Sequence, residues 1–133
     1  MVVEPAAPLP CTATEGLALP AGWSPQVPLP PGMVVFRTER RIEDQLIAYS
    51  RVPGDFHDVV QFFDRQLPPA GFKLRNAEVD PFDAEGDFLG TSVRGRFSVG
   101  LAADCDGQAN LTMLVLPATA PAPTASALPS ATS

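Results

Sequence analysis

Residues 55–72 read DFHDVVQFFDRQLPPAGF, and this stretch decides the fold. Phe56, Val59, Val60, Phe63 and Leu67 fall at i, i+3, i+4, i+7 and i+11, which sets five apolar side chains on one stripe of a 3.6-residue period. Gly54 breaks the segment before it. Asp55 is an N-cap residue whose carboxylate can accept from the free amides of the first turn, and Asp58 adds negative charge at the positive end of the helix dipole. Pro68 and Pro69 lack the amide hydrogens that a continuing helix needs, and Gly71 can take a left-handed turn. The spacing predicts a helix over about 56–67. A helix this short is marginal alone in water, so its stripe must pack on a sheet.

Outward from the helix the chain reads as strands. Met33–Glu39 and Gln45–Val52 form a predicted hairpin about a charged turn at Arg40–Asp44. Phe72–Val79 is a third strand, with Phe72 and Leu74 on one face and Lys73 and Arg75 on the other. Asp80–Asp87 reads as an acidic loop and Phe88–Val93 as a fourth strand. Arg94-Gly95 reads as a turn, Arg96–Ala103 as a fifth strand, Asp104–Gly107 as a tight turn and Ala109–Leu116 as a sixth strand. The order is ββαβββ, and the class is α+β: an antiparallel sheet of five to six strands with one helix on one face.

Of 16 prolines in 133 residues, eight lie in residues 1–31 and four in 117–133. The expected organisation is a Pro-rich N-terminal arm over 1–32 that packs on the domain, an α+β domain over 33–117, and a Pro/Ala/Ser/Thr tail over 118–133, extended or disordered. The net charge of −6, from 15 acidic against 9 basic residues, argues against nucleic acid, whose phosphates demand a basic footprint. No run of 18 apolar residues exists, so no membrane span is expected. No signal peptide is visible, because Met1-Val2-Val3 leads straight into acidic, proline-rich sequence. Cys11 and Cys105 form no metal signature. Either they pair, tying the arm to the domain, or they are two unrelated thiols.

A family resemblance enters at Val27-Pro-Leu-Pro-Pro-Gly32, which resembles the P-x-P-G lead-in of small bacterial extracytoplasmic and lipoprotein domains of unknown function. Those domains also carry a helix with an aromatic pair, a leucine soon after, and then Gly-aromatic; here Phe62-Phe63, Leu67 and Gly71-Phe72 match, with phenylalanine at both positions where tyrosine and tryptophan are usual. The resemblance covers about Val27 to Leu116. It implies a ββαβββ fold and an extracytoplasmic or secreted location, with a cytoplasmic one still open, and it implies no activity. Leu9-Pro10-Cys11 departs from a lipobox, so lipidation at Cys11 is not expected.

Several constellations offer chemistry. His57 is the single histidine, so a small enzyme would have to use it as base, with Ser50 and Asp55 near it in sequence; the plainer reading is a polar first-turn residue. Glu78, Asp80, Asp83, Glu85 and Asp87 put five carboxylates into residues 78–87. Asp83, Glu85 and Asp87 are the calcium candidates in that acidic loop, although Asp83-x-Glu85-Gly86 matches only the middle of an EF-hand loop, with Pro81 and Ser92 at its first and twelfth positions. Arg94 and Arg96 can clamp an anion or simply guard an exposed strand. No cofactor is expected.

Met33–Phe36, Leu46–Tyr49 and Met113–Leu116 are apolar on both faces, and a single helix covers one face. The arm from Leu17 to Leu29, anchored by Trp23, is therefore expected over the face opposite the helix, or else a partner lies there. The leading expectation is a non-catalytic binding or assembly module of the bacterial cell envelope or secreted space, acting through its sheet face and Pro-rich arms on a protein partner or on itself. The alternative is a small-ligand or calcium-binding accessory domain.

Overall fold

The computed structural model describes Cys11 and residues 15–118. Six strands form one antiparallel sheet: β1 Val34–Arg41, β2 Gln45–Pro53, β3 Lys73–Val79, β4 Asp83–Leu89, β5 Val93–Leu101 and β6 Gln108–Pro117. Their spatial order is β1-β2-β6-β5-β4-β3, so β6 returns to the middle and β1 and β3 form the edges. The helix α1 spans Phe56–Gln66 between β2 and β3. The class is α+β, in the order the sequence implies.

The helix ends are built as their residues require. Asp58 reaches back to accept the Asp55 amide at 3.4 Å. At the far end the Phe72 amide bonds the Leu67 carbonyl at 3.0 Å and Gly71 takes φ 96, a conformation that glycine adopts without a Cβ penalty. Phe56, Val59, Phe63 and Leu67 are buried. They meet Phe88, Phe97, Val99, Ala109, Leu111 and Met113, the alternate residues of β4, β5 and β6 that face the helix. Phe63 stacks on Phe97 at 4.5 Å.

Arg40 and Arg41, expected in the charged turn, extend β1 and leave Ile42–Asp44 to make the turn, and two larger strand assignments differ from the sequence reading. The acidic stretch is not a loop: Asp83, Glu85 and Asp87 are already in β4. Ala84, Gly86 and Phe88 alternate with them and are buried, so a period of two was hidden by small apolar partners. Arg94-Gly95 is not a turn but lies inside β5; the turn precedes it, closed by the Gly90 amide on the Val93 carbonyl at 2.9 Å. Gly95 is glycine because a Cβ there would overlap the Leu114 carbonyl oxygen and crowd the Phe88 ring.

The arm also lies elsewhere than expected. Trp23, Val27 and Met33 join the core on the helix side of the sheet, not the opposite face. The Gln26 side chain donates to the Ala70 carbonyl at 3.1 Å, and Arg40 donates to Ala21 at 2.6 Å. The reason is width. Six strands at ~4.8 Å spacing span roughly 24 Å, whereas a helix with its side chains covers only about 10–12 Å. α1 contacts β4, β5 and β6, and the arm lies beside it, filling the strip that α1 leaves uncovered. Cys11 and Cys105 form a disulfide, with 5.5 Å between their Cα atoms. The expected tail, apart from Ala118, and most of residues 1–14 lie outside the described residues.

Candidate functional site

On the face opposite α1, Ile47, Leu114 and Leu116 are buried beside Tyr49. Charged side chains flank them in two clusters. In the first, Glu39 accepts from Arg37 at 2.7 Å, from Arg41 at 3.0 Å and from the Tyr49 hydroxyl at 3.1 Å. The Arg37 guanidinium stands 4.9 Å above the Tyr49 ring. Partial burial, then the hydrogen bond to Glu39 and its charge, push the Tyr49 hydroxyl above its ordinary range, against the two arginines. The sequence reading missed this cluster, although Arg37, Glu39 and Arg41 already alternate as one face of a strand.

The second cluster contains the predicted site residues. Asp87 accepts from Arg96 Nε at 2.6 Å and from Asn76 at 2.8 Å. Burial raises the Asp87 carboxyl, but the hydrogen bonds from Arg96 and Asn76 and the charge of Arg96 outweigh it and leave it below the usual carboxylate range. Arg94 and Arg96 do share this face, as a clamp requires. Yet Arg96 is held by Asp87, and Arg94 sits in register between Leu89 and Leu116. Asp83, Glu85 and Asp87 extend along β4, with Glu78 opposite Glu85. An extended strand spreads them at two-residue intervals, and among the described residues no group of three His, Cys, Asp or Glu side chains is placed to hold a metal ion.

Of the residues of the enzyme alternative, His57 and Asp55 pair with each other and Ser50 is engaged elsewhere. His57 Nδ1 lies 2.9 Å from Asp55 Oδ2 in the exposed first helical turn, and its ring stacks on Phe56 at 4.1 Å. The His57 hydrogen bond lowers the Asp55 carboxyl despite slight desolvation. Ser50 is buried, and its hydroxyl donates to the Leu111 carbonyl at 2.9 Å, so it is not presented as a nucleophile. Buried Arg51 pairs with Asp104 at 3.5 Å, beside the disulfide. Trp23 is partly buried, with its indole N–H unpaired among the described residues.

A site the sequence reading did not find lies at the end of the sheet where α1 begins. Val79, Phe82 and Leu101 are 55, 67 and 46% exposed. The Leu101 amide donates to the Phe82 carbonyl at 3.3 Å, and the Asp80 amide closes the β3–β4 turn on Asp83 at 2.7 Å. Val79 pairs with core residue Ala84 and Leu101 with core residue Ala109, which places both on the α1 side. The signal was present in Val79-Asp-Pro-Phe-Asp83: two large apolar residues inside an acidic run. Elsewhere, a groove of about 280 Å³ runs between the arm and β1, lined by Leu17, Leu19, Leu29 and Met33.

No protein-family model matches the chain, and no curated protein or solved structure matches it.

Proposed function

We propose that the chain is a non-catalytic binding module of the cell envelope or secreted space that takes a protein partner on its sheet. One observation carries this reading: Val79, Phe82 and Leu101 stand exposed together at one end of the sheet, on hydrogen-bonded backbone. Exposed apolar side chains gathered at one end of a sheet are what a protein interface uses as anchors, and a protein surface otherwise scatters them. The Cys11–Cys105 disulfide supports an oxidising compartment, in line with the resemblance to small bacterial extracytoplasmic domains. The burial of Ser50, with its hydroxyl on the Leu111 carbonyl, withholds it from His57 as a nucleophile and favours binding over that chemistry.

The test is site-specific photocrosslinking in cells that produce the protein, from position 82 and from the exposed helix position 61. The reading expects a discrete protein adduct from position 82 and none from 61. Equal, diffuse labelling from both positions contradicts it.

A further inference from the structure

We infer that the partner docked at this end of the sheet is a basic segment, an apolar anchor flanked by lysines or arginines; this rests on the binding-module reading above. The topology collects negative charge at this end. The end of the sheet is traced by Pro53 on β2, Gln108 on β6, Leu101 on β5, the Phe82 turn and Val79 on β3. The Gly54 amide bonds the Gly107 carbonyl at 2.6 Å, so the first turn of α1 and the β5–β6 turn meet there. Those segments bring Asp55, Asp58, Asp80, Asp83 and Asp106 to the same end.

Basic residues are placed elsewhere. Arg40, Arg41, Lys73 and Arg94 belong to the opposite end, where the β1–β2 and β4–β5 turns lie, Arg37, Arg75 and Arg96 lie mid-strand on the face opposite α1, and Arg65 sits in the last turn of α1, while His57 in its first turn holds Asp55. Among the described residues, Arg51 is the cation whose strand position is at the acidic end, and it is buried against Asp104. The positive first turn of α1 offsets only part of this field. An apolar patch rimmed by carboxylates repels acidic partners and steers basic ones. The anchor supplies most of the affinity, while the exposed carboxylates add little each and set orientation and salt dependence. A second copy of the chain is the competing occupant, because Ile42 is 80% exposed beside Arg40 and Arg41. Glu43 and Asp44 follow it directly in the same turn and cancel that charge.

The test uses the full disulfide-bonded chain and a fluorescent synthetic peptide with a Leu-Phe-Leu centre flanked by lysines, beside a twin flanked by glutamates. The lysine peptide is expected to bind saturably and more weakly at high salt, with an affinity loss of about tenfold in Phe82→Ser and none in Ile42→Ser. Asp80→Asn with Asp83→Asn is expected to flatten the salt dependence. Phe82 is exposed in a turn, and circular dichroism checks that the variants fold. Equal binding of the glutamate peptide overturns the charge inference while leaving a binding site at Phe82. Binding unchanged in Phe82→Ser, or no saturable binding, overturns the inference too, and photocrosslinking from position 82 then decides the binding-module reading separately. Self-association of the chain alone, lost in both Phe82→Ser and Ile42→Ser, assigns the patch to a second copy and also overturns it.

Discussion

Replacing Phe63 by alanine removes the side chain that joins α1 to the middle of the sheet. Phe63 is fully buried, stacks on Phe97 at 4.5 Å and meets the Phe62 ring edge-on at 5.3 Å. Truncating a buried phenylalanine costs about 3–5 kcal/mol, the sum of lost transfer energy and the cavity left behind. The upper half of that range is expected here, because the walls cannot easily close in: β5 and β6 are paired along their lengths, and Gln26 ties the arm to the turn after α1. Urea unfolding followed by circular dichroism measures the loss. With a slope of ~1–3 kcal/mol per molar urea for a small domain, the midpoint should fall by at least about 1 M. Phe62→Ala, at a half-buried neighbour, should lose distinctly less. If Phe63→Ala does not fold, Phe63→Leu serves, with a smaller drop in midpoint. A loss below about 1 kcal/mol for Phe63→Ala would refute the packing described here.

Gly95→Ala should destabilise by roughly 1–3 kcal/mol through overpacking against Leu114 and Phe88, whereas a tolerant Gly95 would return it to a turn. Thiol titration of the native, unreduced chain should find no free thiol, and reduction should remove about 4–5 kcal/mol in the chain-entropy picture of a loop spanning 94 residues; two titratable thiols per chain would contradict the pairing. The lowered Asp87 carboxyl contributes stability that is present above the ordinary carboxylate range and lost as pH falls through its depressed folded value. The stability gap between wild type and Asp87→Asn, read from urea midpoints, should hold constant above about pH 5 and close in acid; a gap unchanged in acid would remove the ion pair from the account.

The parts legible in the sequence carried their own periodicity or stop signals. Phe56, Val59, Phe63 and Leu67 declared the helix, and Pro68-Pro69 with Gly71 its end. Lys73 to Val79 and Gln108 to Pro117 read correctly within a residue or so, because their turns are marked by glycine. β4 was obscured because Ala84 and Gly86 are too small to stand out as apolar partners of Asp83, Glu85 and Asp87. Gly95 looked like a turn residue, since its need for space comes from Leu114 and Phe88, far away in sequence. The arm's face was not legible, because covering a six-stranded sheet is a matter of width as well as of faces. Leu46 and Val35 on the α1 side also needed cover, while the apolar strip of the opposite face is only Ile47, Leu114 and Leu116 beside Tyr49, flanked by Arg37, Glu39, Arg41, Arg94 and Arg96. The apolar end was missed because no local pattern says that Phe82 and Leu101, in separate segments, meet across a backbone hydrogen bond.

The most direct measurement is amide shift mapping of the isotope-labelled, disulfide-bonded chain titrated with the lysine-flanked peptide. Shifts are expected to concentrate at Val79, Asp80, Phe82, Asp83 and Leu101, to spread to Asp55 and Asp58 and to fade with added salt. Shifts centred on Ile42 and the β1–β2 turn, or spread over the Arg37–Glu39–Tyr49 face with Phe82 silent, would contradict docking at Phe82.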